Sequence, residues 1–177
     1  MKTRKFAVAI ATFASAAALA ACGNVSTTNT SAAGSTIGET FKIGYNLELS
    51  GAVSSYGQTE EKGANLAVKE INAAGGIDGK KIEVITKDNK SETAEAATVA
   101  TSLASEGANV VIGPATSGAS AASIPALTSA GVPMISPSGT QTNLVENDKG
   151  EVQEYFFRTT FTDGYQGEIM AKYATEN

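Results

Sequence analysis

Asn109-Val-Val-Ile-Gly-Pro-Ala-Thr-Ser-Gly118 is the segment that settles the class of architecture. Asn109 to Ile112 is a short, continuous apolar run, the pattern of a strand covered on both faces. Gly113 to Ser117 is a tight turn, and a helix is predicted from about Gly118 to Ala130, with Ile124 and Leu127 facing inward. Pro125 is expected to bend or loosen the middle of that helix, because it removes a main-chain donor. Gly131 ends the helix, and Val132-Pro-Met-Ile135 reads as the next strand. Strand, tight turn, helix and strand in that order form a βαβ unit.

Outward from this unit the alternation continues. Upstream, Phe41 to Leu47 and Lys81 to Thr86 read as strands, with an Asp88-Asn89 turn after the second. A helix is predicted from Thr59, on the recurrence of Ala64, Ala67/Val68, Ile71 and Ala74, and ends at Gly75-Gly76. A second, N-capped by Ser91, carries Ala94, Ala97, Ala100/Thr101 and Leu103/Ala104 and stops at Gly107. Downstream, Pro137 to Gly150 looks irregular, Tyr155 to Arg158 is a fifth strand, and Asp163 with Gln166 is expected to cap a final helix bearing Ile169, Met170 and Tyr173. The whole is an α/β chain with a doubly wound parallel sheet.

Ligands in such sheets bind outside the carboxyl ends of the strands. Those ends are the loops Glu48–Gln58, Gly113–Ser117 and Pro137–Asn143, all rich in Ser, Thr, Gly or Ala. Hydroxyls recurring on every loop of one edge point to a binding edge rather than to ordinary turns.

The amino terminus locates the protein. Lys2, Arg4 and Lys5 precede an uncharged apolar and small-residue run from Phe6 to Leu19, the form of a secretory signal. Leu19-Ala-Ala-Cys22 follows, and Cys22 is the only cysteine. A Leu three residues before a lone Cys is the lipoprotein form, in which the Cys22 thiol is acylated. Residues 1–22 are therefore read as signal and lipobox, and 23–40 as a Ser/Thr/Asn-rich flexible tether. The protein is expected outside the cytoplasmic membrane, anchored to it by lipid.

Composition removes other classes. After Cys22, 155 residues remain, with 10 Lys+Arg against 18 Asp+Glu and a single Arg, which argues against nucleic acid as a partner. With no His and no second Cys, neither a transition-metal site nor a disulfide framework is expected. Gly113-Pro-Ala-Thr-Ser-Gly118-Ala119-Ser120 nearly spells a phosphate loop, but Ala119 stands where the phosphate-gripping Lys must be. What survives is a helix N-terminus suited to a small anion such as a carboxylate. A Ser-His-Asp triad is impossible without His, so no enzyme and no cofactor are expected. Glu60, Glu61, Glu70, Glu92 and Glu95 are assigned to solvated helix faces; Glu48 and Asp163 are the exceptions.

Lys42-Ile-Gly-Tyr-Asn-Leu-Glu-Leu-Ser-Gly51, Tyr56-Gly57, Glu70-Ile-Asn-Ala-Ala-Gly-Gly-Ile77, Val110-Val-Ile-Gly113, Ser117, Gly131-Val-Pro-Met-Ile-Ser-Pro137, Thr140, Phe157-Arg-Thr159 and Asp163 with Gln166-Gly167 follow in order. In residue type and spacing this closely resembles the leucine/isoleucine/valine-binding family, the branched-chain amino-acid solute-binding proteins of ABC importers. The resemblance spans Phe41 to Asn177. It implies a type I periplasmic-binding fold, in which two α/β lobes close on a ligand, and a small amino-acid ligand handed to an ABC permease.

The resemblance also implies roles. The turn Ala115-Thr116-Ser117 would hold the ligand α-carboxylate through main-chain NH groups and the Ser117 hydroxyl. Ser138-Gly139-Thr140 would hold the α-ammonium through a carbonyl and the Thr140 hydroxyl, with Tyr56 lining the pocket and Asp163 assisting. Family members run to roughly twice this length, so the chain is expected to be a fragment or a truncated product. Residues 41–158 would be the N-terminal lobe, and 159–177 the hinge crossing and first helix of an incomplete second one. The alternative function is a ligand-sensing or regulatory lipoprotein that transports nothing.

Overall fold

The computed structural model describes residues 37–176. The expected signal, the Cys22 anchor and most of the tether lie outside them. Ile37 to Thr40, the described end of that tether, hold no helix or strand.

Five strands and four helices alternate: β1 (Phe41–Leu47), α1 (Ser54–Ala73), β2 (Ile82–Asp88), α2 (Thr93–Ser105), β3 (Val110–Ile112), α3 (Ser117–Ala130), β4 (Met134–Ser136), β5 (Phe156–Arg158) and α4 (Asp163–Glu176). A single 3₁₀ turn, Thr142–Val145, interrupts the long stretch before β5. All pairings are parallel, in the order β2-β1-β3-β4-β5. The expected doubly wound parallel sheet is what the chain forms.

Side-chain alternation along each strand divides the core in two. Ile43, Tyr45 and Leu47 of β1 and Ile82 of β2 face one side, where Ala64 and Val68 of α1 pack. On the other side Val111, Met134 and Phe156 meet Val99, Ala100 and Leu103 of α2 and Ile124 and Leu127 of α3. Gly44 is on that second side because a β-carbon there would lie 3.0 Å from a Leu103 methyl. A buried polar knot spans the same layer: Asn46 Nδ2 donates to the Ala96 main-chain carbonyl and to Ser123 Oγ, and Asn89 Nδ2 donates to Asn46 Oδ1. It ties β1 to both helices.

Several boundaries differ from expectation. The helix predicted from Thr59 begins at Ser54, so Tyr56 and Gly57 lie in its first turn and not in a loop. Gly57 reads like a loop glycine but is a packing glycine: a β-carbon there would lie 2.4 Å from the Glu48 carbonyl oxygen. Asp88 ends β2 instead of opening a turn, and its carboxylate accepts from the amides of Leu49, Ser50 and Lys90 and from the Ser50 hydroxyl. Ser91 does not cap α2; Glu92 is the N-cap residue. Ser91 has φ 62°, and its hydroxyl donates to the Ser50 carbonyl and accepts from the Val53 amide. The buried face of α2 is Ala96, Val99, Ala100 and Leu103, so Ala94 turns outward.

Pro125 leaves α3 a continuous helix, and Gly131 ends it in the left-handed conformation at φ 66°. The cap of α4 is Thr162, whose hydroxyl accepts from the Tyr165 amide. Asp163 is the first helical residue, where its charge suits the helix N-terminus. No residue of α4 is buried.

Candidate functional site

The strand order reverses between β1 and β3. The chain leaves β1 for a helix on one face and leaves β3 for a helix on the other, which opens a crevice at their carboxyl ends. Glu48 stands at that point, directly after β1, and is fully buried. Its Oε2 accepts from the Ala115 amide at 2.9 Å. Its Oε1 accepts from the Thr116 amide at 3.1 Å and from the Thr116 hydroxyl at 2.8 Å. A side chain of the protein thus neutralises the start of α3, and the two amides expected to meet a ligand carboxylate both point at Glu48. What that turn still offers is the Ser117 hydroxyl and the amides of Ser117 and Gly118, which have no helical carbonyl to reach.

The other expected residues gather around it. Ser117 Oγ accepts from the Gln141 amide at 3.2 Å, which leaves its own proton to donate. This contact draws the start of α3 against the Ser138–Thr140 segment. The Ser138 hydroxyl lies 2.9 Å from the Ala115 carbonyl oxygen, and the Thr140 carbonyl accepts from the Asp163 amide at 2.9 Å. The Gly139 amide donates to Ser136 Oγ at 3.0 Å, and Ser136 in turn donates to the Pro114 carbonyl. Seven of the eight residues therefore form one hydrogen-bonded cradle over the ends of β3, β4 and β5. Tyr56 stands at its open side on α1, 59% exposed. An open cleft of about 490 Å³ lies there, lined by Ser55, Tyr56, Thr59 and Glu60.

Three features of the cradle escaped the sequence reading. Ser136 is fully buried and joins the two cradle loops. Arg158 at the end of β5 donates to the carbonyls of Gly139, Gln141 and Thr142 and so pins the segment that carries Thr140. Glu60, expected on a solvated face, instead turns inward: its Oε1 lies 2.5 Å from Ser138 Oγ, and its Oε2 is buried without a partner. Burial, with the nearby charge of Glu48, raises its pKa above the usual carboxyl range, against the opposing pull of Ser138. The clue was its spacing: Glu60 follows Tyr56 by four residues, so the two share a helix face.

The arrangement gathers hydroxyls, helix-start amides and carbonyls at the ends of β3 and β4. Among the described residues there is no group of three or more acidic, His or Cys side chains able to hold a metal ion.

Residues 40–177 match the periplasmic binding protein family model. The chain is 34% identical over 135 residues to the Leu/Ile/Val-binding protein homolog 3 of Brucella melitensis, covering 76% of this chain and 36% of that protein. It is 32% identical over 140 residues to the Leu/Ile/Val-binding protein of Escherichia coli K12, covering 79% and 37%. Among solved structures it resembles the branched-chain amino acid transporter substrate-binding protein LivJ of Streptococcus pneumoniae in complex with isoleucine. That match has 57% identity and a TM-score of 0.72, over 78% of this chain and 38% of the other. The chain thus spans little more than a third of the length of these relatives. On this agreement of sequence, sheet topology and solved structures, the chain belongs to the periplasmic binding protein family.

Proposed function

We propose that this chain is the first lobe, with the start of the second, of an extracytoplasmic binding protein that captures a small amino acid for an ABC importer. Residues 41–158 make the lobe; 159–177 make the crossing and the first helix beyond it. The observation that carries this reading is the bond from the Gln141 amide to Ser117 Oγ, which holds the Ser117 hydroxyl beside the segment carrying Thr140 across the ends of β3 and β4. Ser117 donates to the α-carboxylate, Thr140 receives the α-ammonium with Asp163 beside it, and Tyr56 covers the side chain. Relatives named for leucine, isoleucine and valine support the ligand class. Cys22, acylated, holds the protein at the membrane surface, and Cys22→Ser is expected to shift it from the detergent to the aqueous phase.

The test is calorimetry with leucine, isoleucine, valine and alanine on a form carrying a complete second lobe. Losing a hydrogen bond to a charged ligand group costs about 1.5–3 kcal/mol, roughly ten- to more than a hundredfold in affinity. Ser117→Ala and Thr140→Ala should each weaken binding at least about tenfold while the protein stays folded. If affinity held and only the melting temperature fell, Ser117 would be a structural residue and the reading would fail.

A further inference from the structure

The contacts of Ser138 impose a proton count. A hydroxyl has one hydrogen, yet Ser138 Oγ lies 2.9 Å from the Ala115 carbonyl oxygen and 2.5 Å from Glu60 Oε1. A carbonyl can only accept, so the bond to Ala115 uses the Ser138 hydrogen. The shorter contact then has no hydrogen unless the carboxyl supplies one. The other carboxyl oxygen gives the same answer: Oε2 is buried with no partner, a heavy cost for a charged oxygen and a smaller one for a neutral acid's carbonyl.

We propose that Glu60 is a positioning residue of the cradle and works as a protonated acid, donating to Ser138, which donates onward to the Ala115 carbonyl. This relay joins the three segments that build the cradle: the first turns of α1, the loop after β4 that carries Thr140, and the turn after β3 that carries Ser117. An ionised Glu60 would compete with Ala115 for one hydrogen and push one of the two loops away. The residue thereby makes the cradle's shape depend on a proton. What this does to ligand affinity rests on the amino-acid-binding reading; the proton itself does not.

Three groups surround the contact between Glu60 and Ser138. From the end of β1 comes the charge of Glu48, from the loop after β4 the Ser138 hydroxyl, and from the turn after β3 the Ala115 carbonyl. The ion pairs Lys87–Glu106, Lys90–Glu95 and Lys172–Glu176 do not involve Glu60. Burial and the Glu48 charge favour the protonated form and outweigh the Ser138 hydroxyl, which opposes them where it donates to the carboxylate.

The experiment uses the 177-residue chain without ligand. Carbon-13 carboxyl titration should show one glutamate, absent from the spectrum of Glu60→Gln, that keeps its proton above the ordinary glutamate range. Thermal unfolding from pH 4 to 8 supplies the second readout. An acid with a raised folded-state pKa contributes stability that is present at low pH and lost as pH rises through that value. Glu60→Gln, whose side-chain NH₂ can donate permanently to Ser138, should therefore gain on the wild type steadily with pH. Because burial and the Glu48 charge remain, that gain with pH should persist in a Ser138→Ala background, and Glu60→Ala should be weaker than the wild type at pH 4. A Glu60 carboxyl titrating in the ordinary range, or a constant offset between Glu60→Gln and wild type, would overturn the proposal. Failure of every amino acid to bind the two-lobed form would defeat the functional reading and leave the titration result standing.

Discussion

Glu48→Gln changes one atom of the side chain that fills the start of α3. The carboxylate serves three donors with two oxygens: Ala115 NH on Oε2, and Thr116 NH and hydroxyl on Oε1. An amide has one oxygen. Turned toward Thr116, it keeps two bonds and sets its NH₂ against the Ala115 amide; turned the other way, it keeps one. In either orientation a buried donor faces a donor, and a charge-assisted bond is lost, for about 1.5–3 kcal/mol. Glu48→Ala removes all three acceptor contacts from a fully buried position and should cost about 3–5 kcal/mol, a large share of an ordinary domain's stability. Urea unfolding at pH 7, followed by far-ultraviolet circular dichroism, reads both as shifts in midpoint at constant slope. The Gln variant should also bind a proton less tightly at Glu60, since the Glu48 charge raises that affinity. A Gln variant within about 0.5 kcal/mol of wild type would mean that the helix start does not depend on this anion, and the account of the turn would be wrong.

Two further outcomes follow from the same structure. Asp88 is slightly desolvated, which raises its pKa, but bonds from the Ser50 hydroxyl and the amides of Lys90, Ser50 and Leu49 outweigh this and lower it. A depressed carboxylate contributes stability that is present above its unfolded pKa and lost as pH falls through the folded one. Asp88→Asn should thus be less stable than wild type near neutrality and converge with it in acid, as thermal unfolding would record. Helix α4 buries no residue, with Met170 and Tyr173 at 65% and 70% exposure, so its amides beyond the first turn should exchange with deuterium far faster than those of α2. Protection equal to that of α2 would contradict this.

What the residues determined by themselves is whatever local periodicity controls. The apolar run before Gly113, the helical recurrence in α1 to α3 and the glycine stop at Gly131 sufficed for a parallel α/β sheet. The same local rules erred where a distant neighbour intervened. Gly57 looks like a loop residue until the Glu48 main chain is placed against it. Ser91 looks like a cap until the β1–α1 loop takes its hydroxyl.

Only the tertiary structure decided the electrostatics of the cradle. That Glu48 would occupy the amides of Ala115 and Thr116, and that Glu60 would turn in toward Ser138, depends on pairs 67, 68 and 78 residues apart in the chain. No propensity or spacing encodes such a pairing. A carboxylate on a helix face is solvated by default, and it becomes a buried partner only when the fold brings another loop's hydroxyl within reach and excludes water between them.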